Sequence, residues 1–162
     1  MKELILIVLM AILYLDTSPI IFNGTTMNTL TNWYVLDDGV MGGLSNGSMV
    51  LNEAGNIRYT GTVRLENNGG FSSIRHRFKK KAVSKYTYVV LKIKGDGKTY
   101  QFRIKSDVSQ RFSYINTLDT SGSWETVKLR LDCFYPSFRG KYLGQTQLPG
   151  PDYGRDCHFN WK

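Results

Sequence analysis

Few cysteines and histidines occur in this sequence of 162 residues, and their positions exclude several kinds of site. Cys133 and Cys157 form no CxxC motif and no Cys/His spacing for zinc, so neither a disulfide framework nor a metal site is predicted. The two histidines, His76 and His158, are isolated. The chain has no Ser/His/Asp set and no HExxH motif. The sequence therefore predicts a protein that is not an enzyme and needs no cofactor.

Long apolar runs are also scarce, with one exception near the N-terminus. Leu4 to Leu15 is too short to cross a membrane comfortably but has the length of the apolar part of a signal peptide. We expect residues 1–19 to be a signal-like leader that exports the chain to the periplasm or tethers it to a membrane. The alternative is a plain hydrophobic leader on a cytoplasmic chain. No tight membrane insertion is expected beyond this leader, and residues 20–31 are expected to connect it to the domain.

Alternation of apolar and polar residues dominates the chain from Asn56 onward. Gly or polar clusters separate the alternating runs, and no window outside the leader shows a 3.6-residue period. This spacing predicts an all-β fold, an antiparallel β-sandwich or jelly roll, over residues 32–148. The residues expected on the apolar faces of its strands are Ile57, Tyr59, Val63, Leu65, Val89, Leu91, Ile93, Tyr100, Phe102, Ile104, Phe112, Tyr114, Leu118, Val127, Leu129 and Leu131.

Positive charge is concentrated in one segment of a chain with a net charge of +8. From Arg75 to Arg111 there are twelve Lys or Arg residues and two Asp residues. Such a surface attracts anionic partners. Two interpretations stay open: the solvated faces of strands, or one face that attracts anions. No nucleic acid is expected as a partner.

The segment from Trp33 to Ser45 has the most distinctive pattern. A short apolar run ends in Asp37-Asp38, and three glycines follow, Gly39, Gly42 and Gly43. Glycine permits positive φ and close approach of other groups, so this pattern predicts a tight loop at the end of a strand. The two carboxylates are expected to form the turn or to bind a cation or ligand. A catalytic pair is disfavoured because adjacent strand residues point to opposite sides.

The same pattern recurs twice further along the chain. Asn67 to Phe71 contains a Gly-Gly pair, and Gly95 to Gly97 lies between two predicted strands, where it predicts a hairpin turn. Arg75 and Arg77 follow the first of these loops, on the same strand face as Phe71. An arginine beside an aromatic ring is expected either to stack on a sugar, a base or a partner's ring, or to pair with Asp37 or Asp38.

Four segments in order resemble the signatures of the complex I intermediate-associated protein 30 family. They are Trp33 to Ser45, Gly61 to Arg75, Lys94 to Arg103 and Phe134 to Gly140. The chain is similar to bacterial-type members over roughly Leu30 to Gly140. The resemblance implies a galactose-binding-domain-like β-sandwich.

The resemblance also implies a function. The mitochondrial members are assembly factors that hold intermediates of respiratory complex I, so a chaperone-like role with a protein partner is expected here. The alternative is a carbohydrate-binding module that takes a glycan through Trp33, Tyr34 or Arg75. The candidate binding residues are Trp33, Asp37, Asp38, Gly39, Met41, Gly42, Gly43, Asn67, Asn68, Gly69, Gly70, Phe71, Arg75 and Arg139.

The tail departs from the family's pattern. Residues 149–162 show no alternation, which is expected to leave an unpaired edge. In a frame shifted by one nucleotide, suitable codons from Gly154 to Trp161 would encode an Ile-rich strand like the family's next one. A frameshift or truncation just before Gly154 is therefore a hypothesis, under which Cys157, His158 and Trp161 carry no function. A genuinely divergent tail is the alternative.

Overall fold

The computed structural model describes residues 19–144, which fall into two compact units with the boundary between Lys79 and Lys80. Both units are built from antiparallel strands, and the one α-helix in the described residues has four residues. The predicted all-β class is therefore confirmed. The jelly-roll or galactose-binding-like arrangement and the domain bounds stay predictions. The leader and the tail from residue 145 lie outside the described residues.

The first unit contains a short helix and two two-stranded sheets. Its elements are α1 (Gly24–Met27), β1 (Trp33–Asp37), β2 (Asn46–Leu51), β3 (Ile57–Thr62) and β4 (Ser72–His76). Strand β1 pairs with β4 although more than thirty residues separate them in the chain, and β2 pairs with β3 as a hairpin. Asn23 begins the helix by accepting a hydrogen bond from the backbone N–H of Thr25 at 3.1 Å.

The second unit contains one sheet of four strands and one of two. Its elements are β5 (Tyr88–Lys94), β6 (Thr99–Ile104), β7 (Ser113–Asp119), β8 (Trp124–Arg130), β9 (Tyr135–Phe138) and β10 (Lys141–Tyr142). The larger sheet has the order β10-β9-β7-β6, and β5 pairs with β8. Among the described residues, no helix is long and apolar enough to span a membrane.

The buried side chains of the two units differ in chemical character. The second has an apolar core formed by Tyr114, Leu118, Leu129, Leu131 and Phe134. In the first unit, the side chains described as buried are polar, those of Asp38 and Ser45. The second unit therefore has a buried apolar core, whereas the buried side chains of the first belong to a hydrogen-bonded cluster around a carboxylate.

Most of the predicted alternation is confirmed in the second unit. On β5, Val89, Leu91 and Ile93 pack against the apolar core while their neighbours are exposed. Phe102 and Ile104 do the same on β6. Tyr100 is an exception, because it is exposed and its hydroxyl donates to Asp96 at 2.8 Å.

Two predictions about strands were wrong. Gly95 to Gly97 is not a hairpin turn, because β5 pairs with β8 and β6 with β7, so the loop joins two different sheets. Val63 and Leu65 do not share the inward face of Ile57 and Tyr59: β3 ends at Thr62, and both residues are exposed. Alternation predicts which face of the sheet a side chain occupies only while the strand continues.

The prediction that the cysteines form no disulfide was also wrong, since Cys133 is disulfide-bonded. A single pair of cysteines has no spacing signature from which a bridge could be inferred. Cys157 lies outside the described residues.

Candidate functional site

The two glycine-rich loops of the first unit meet at the carboxylate of Asp38. Asp38 is 1% exposed and begins a 3-10 turn that ends at Met41. Its Oδ2 accepts from the backbone N–H groups of Gly70 at 2.7 Å and Phe71 at 3.2 Å. One carboxylate therefore joins the loop after β1 to the loop before β4.

Ser45 completes this arrangement from the end of the first loop. Its N–H donates to Asp38 Oδ1 at 3.0 Å, and its hydroxyl donates to Asp38 Oδ2 at 2.6 Å. The Ser45 hydroxyl also accepts from the N–H of Arg64 at 3.0 Å. Across the same junction, the side-chain amide of Asn67 donates to the carbonyl of Gly42 at 3.1 Å. We call Asp38, Ser45, Gly70 and Phe71 the carboxylate junction.

The carboxylate junction keeps Asp38 ionised. The hydrogen bond from the Ser45 hydroxyl lowers the pKa most, and burial acts against it. The backbone N–H groups of Gly70, Phe71 and Ser45 lower the pKa further, to about 2. At neutral pH the loops therefore close around a full negative charge that is matched by hydrogen-bond donors.

Asp37 makes a separate set of contacts on the other side of the chain. Its Oδ2 accepts from the N–H of Gly47 at 3.0 Å, and its Oδ1 accepts from the hydroxyl of Ser72. The Tyr59 hydroxyl is hydrogen-bonded to the same Ser72 hydroxyl. Asp37 thus connects β1 with β2, β3 and β4, and the turn-forming interpretation of the two carboxylates agrees with these contacts.

Gly43 and Gly69 are required in these loops for close approach, whereas Gly42 and Gly70 have positive φ angles of 86° and 134°. A Cβ on Gly69 would lie 2.7 Å from both the Arg64 carbonyl oxygen and Asp38 Oδ2, and one on Gly43 would overlap the Asp38 carboxyl group. Around Gly39, by contrast, a Cβ would meet nothing within 4 Å. Within the motif from Trp33 to Ser45, Gly43 is therefore required for close approach and Gly39 is not.

Four exposed apolar side chains lie on or next to the segments that form the carboxylate junction. Leu65 is 79% exposed, and Leu44, Val63 and Phe71 are also exposed. Leu44 follows Gly43 and precedes Ser45, while Val63 and Leu65 flank Arg64, which is bonded to Ser45. Leu65 also lies 3.4 Å from the position of a Cβ on Gly70. We call these four residues the loop surface.

An open groove of about 430 Å³ adjoins the loop surface. Leu44 lines it together with Asn46, Thr62 and Arg64, at the end of the β2–β3 hairpin where Asn46 pairs with Thr62. The described residues that line the groove are therefore one apolar, one basic and two uncharged polar residues.

Trp33 lies at the opposite end of β1 from the carboxylate junction. Its ring stacks on His76, its cross-strand partner, with centroids 4.4 Å apart, and Phe22 contacts it edge-on at 5.0 Å. Burial lowers the pKa of His76, which favours the neutral ring. Trp33 is thus packed within the unit rather than placed in the loops.

Arg75 lies on β4 directly opposite Tyr34. The suggested pairing with Asp37 or Asp38 was wrong: the ion pairs within residues 19–144 are Lys98–Asp96 and Arg130–Asp132. Hydrogen-bond donors from the backbone and from serines occupy both carboxylates instead, as described above. Arg75 Nε donates to the Ser73 hydroxyl at 3.2 Å.

The structure brings together the predicted residues of two motifs and leaves others apart. Asp38, Gly42, Gly43 and the residues from Asn67 to Phe71 meet at the junction. Arg139 belongs to the second unit, where it has a φ of 51° in the two-residue turn between β9 and β10. Sequence reasoning missed Ser45 as the partner of Asp38. It also missed Leu44, and it placed the exposed Leu65 on an inward strand face.

The segment from Lys94 to Arg103, the third that resembles a family signature, also contacts a buried polar side chain. Thr120 is 8% exposed, and its hydroxyl accepts from the N–H of Gly97 at 3.1 Å and donates to the Lys98 carbonyl at 2.9 Å. A Cβ on Gly95 would overlap the Thr120 side chain. Within the described part of the chain, no group of three or more His, Cys, Asp or Glu residues could hold a metal ion.

The fold and the site define an all-β protein whose candidate site is a pair of loops joined by a buried carboxylate. The sequence model of the family described as Complex I intermediate-associated protein 30 (CIA30) matches residues 22–150. The match covers most of the chain, and the protein belongs to the CIA30 family. In a direct sequence comparison, no curated protein matches the chain.

Proposed function

We propose that this protein is a non-catalytic binding protein that holds a partner polypeptide during assembly of a membrane complex, through the loop surface. The family's name refers to association with intermediates of complex I, and such intermediates expose surfaces that the finished complex buries. The expected partner is therefore a subunit or subcomplex of complex I, held without covalent chemistry.

One observation carries this proposal: exposed apolar side chains lie on loops that hydrogen bonds hold in place. Leu65 and Phe71 project from segments whose backbone is bonded to Asp38 or Ser45. Clustered exposed apolar residues are typical of protein-binding surfaces. Loops that are already ordered lose less conformational entropy on binding, which favours affinity. The carboxylate junction therefore supports binding by keeping the loop surface in one conformation.

The groove beside Leu44 adds a polar component to this surface. Arg64, Asn46 and Thr62 line it beside Leu44, and their side chains carry hydrogen-bonding groups. Protein interfaces commonly combine an apolar centre with a polar rim. A polypeptide with an apolar side chain next to a carbonyl or carboxylate group fits this combination.

Photo-cross-linking from the loop surface tests the proposal. A photoreactive amino acid in place of Leu65 should cross-link to complex I subunits in membranes that are assembling the complex. The matched control carries the same amino acid in place of Val50, which is 54% exposed on β2 of the same unit. Mass spectrometry identifies the linked peptides.

The comparison between the two positions decides the outcome. The proposal predicts complex I peptides linked to position 65 and at most about one tenth as many linked to position 50. In a parallel binding assay, Leu65→Ser should weaken retention of those subunits and Val50→Ser should not. Equal labelling at both positions, or labelling without any complex I subunit, would contradict the proposal.

The glycan alternative gains no support from the residues named for it. The ring of Trp33 stacks on His76, and the guanidinium of Arg77 lies over the ring of Tyr34 at 4.8 Å. Sugar-binding sites usually offer an aromatic ring whose face can stack on the sugar. In both rings one face is already covered by a neighbouring side chain.

A further inference from the structure

We propose that Tyr34, Arg75 and Arg77 form a binding site for an oxyanion, a carboxylate or a phosphate group. This oxyanion site is separate from the loop surface and does not depend on the proposed partner. It is carried by the β1–β4 pair, on the strand face opposite that of Trp33 and Asp37.

The strand pairing places both guanidinium groups beside one phenol. Arg75 faces Tyr34 directly across the two strands. Arg77 is two residues further along on the same face, and its N–H donates to the Asn32 carbonyl at 2.9 Å, which keeps its backbone alongside β1. Its Cζ lies 4.8 Å from the centroid of the Tyr34 ring.

Ser73 orients the first of these arginines. The Ser73 hydroxyl accepts from Arg75 Nε at 3.2 Å and donates to the carbonyl of Leu36 at 2.9 Å. This uses one N–H of the guanidinium, and a further interaction with the Tyr34 hydroxyl still leaves N–H donors for another group, because arginine carries five. Arg75 is half-buried, so its position is restricted more than that of a surface arginine.

The site has positive charge and no carboxylate to balance it in the described residues. The ion pairs of residues 19–144 involve Asp96 and Asp132, neither of them with Arg75 or Arg77. Burial raises the pKa of Tyr34, but polar and coulombic interactions with Arg77 and Arg75 outweigh this and lower it. The phenol therefore lies in a positive field, where an anion would be stabilised.

The chemistry of the donors defines the class of ligand. Guanidinium groups bind carboxylate and phosphate oxygens in pairs, with geometry that a chloride ion cannot match. The Tyr34 hydroxyl, which interacts with both arginines, adds a further donor. The site is thus suited to a group with two or three oxygens on one centre.

NMR titration of the full chain tests the site directly. The Nε–H resonances of the arginines are followed as sodium acetate, sodium phosphate or sodium chloride is added at constant ionic strength. The resonances of Arg75 and Arg77 should shift together and reach saturation with acetate or phosphate, but not with chloride. Acetate alone would indicate a carboxylate ligand, and phosphate alone a phosphate ester.

Variants separate this site from general charge effects. Arg75→Gln and Arg77→Gln should each weaken binding at least about tenfold, because a charge-assisted hydrogen bond is lost. Arg58→Gln removes the same charge from the exposed face of β3 in the same unit and should change the affinity less than about threefold. Folding of each variant is checked from the backbone amide spectrum. Shifts that do not saturate, that are equal with chloride, or that Arg58→Gln reduces equally would overturn the proposal.

Discussion

Replacing Asp38 with alanine is expected to lower the melting temperature by on the order of 10 °C, the larger of the two effects predicted for the carboxylate junction. The substitution removes the acceptor for the backbone N–H groups of Ser45, Gly70 and Phe71 and for the Ser45 hydroxyl. Buried donors without an acceptor destabilise the folded state more than the average hydrogen bond stabilises it. Thermal unfolding followed by circular dichroism measures the change.

The same carboxylate gives the stability a defined pH dependence. The folded-state pKa of Asp38 is lowered to about 2, whereas an unfolded aspartate has a pKa of about 3.9. The unfolded chain therefore takes up the proton first as the pH falls. The contribution of Asp38 is complete above about pH 4 and is lost between about pH 4 and pH 2. Asp38→Asn should remove this part of the acid transition.

Glu53→Gln is the matched control for both measurements. Glu53 lies in the exposed turn between β2 and β3 of the same unit, and its replacement should leave the melting temperature nearly unchanged. A melting temperature of Asp38→Ala within about 2 °C of the unaltered protein would show that the carboxylate does not hold the loops together.

Gly69→Ala is expected to give the second large effect, a loss of about 1–3 kcal/mol in the free energy of unfolding. The added methyl group would lie 2.7 Å from the Arg64 carbonyl oxygen and from Asp38 Oδ2, and 2.9 Å from the Glu66 carbonyl oxygen. Two of these atoms are backbone, so they cannot move away by a side-chain rotation. The φ of Gly69 is −68°, which alanine adopts readily, so the cost is steric. Denaturant unfolding measures it.

Gly39→Ala provides the control within the same pair of motifs. A Cβ there would meet no atom within 4 Å, so the change in the free energy of unfolding should stay within about 0.5 kcal/mol. Equal destabilisation by the two substitutions would mean that loss of glycine flexibility, and not close approach to Asp38, determines the effect.

Much of the fold could be predicted because it follows from local patterns. Alternation on β5 and β8 identified Val89, Leu91 and Leu129 as inward-facing, since these strands continue over seven residues each. The paired glycines correctly marked loops that other groups approach closely. Where the strand stopped, as at Thr62, the alternation no longer indicated burial, and the prediction for Leu65 was wrong.

The arrangement of the site could not be predicted because it depends on contacts between distant segments. Nothing in the pair Asp37-Asp38 shows that one carboxylate contacts Ser72 and Gly47 while the other is enclosed by loops up to 33 residues away. The register of β1 on β4 determines these contacts. That register is set by packing and pairing along the whole strand, not by any one residue.

The hairpin prediction at Gly95 to Gly97 failed for a related reason. A Gly-Asp-Gly sequence fits a tight turn, but the partner of each flanking strand is chosen by long-range pairing. Gly95 is instead needed because it approaches the buried Thr120 side chain. Here, as around Asp38, glycine is needed because a Cβ would overlap a buried polar side chain.

Amide hydrogen exchange at Gly70 and Phe71 tests the central claim most directly, because these two N–H groups donate to Asp38. The account predicts protection in the unaltered protein and at least about tenfold faster exchange in Asp38→Asn. The N–H of Gly97, which donates to Thr120 in the second unit, should exchange equally in both. Exchange of Gly70 and Phe71 at the rate of an unstructured peptide in the unaltered protein would contradict the claim that a buried carboxylate joins the two loops.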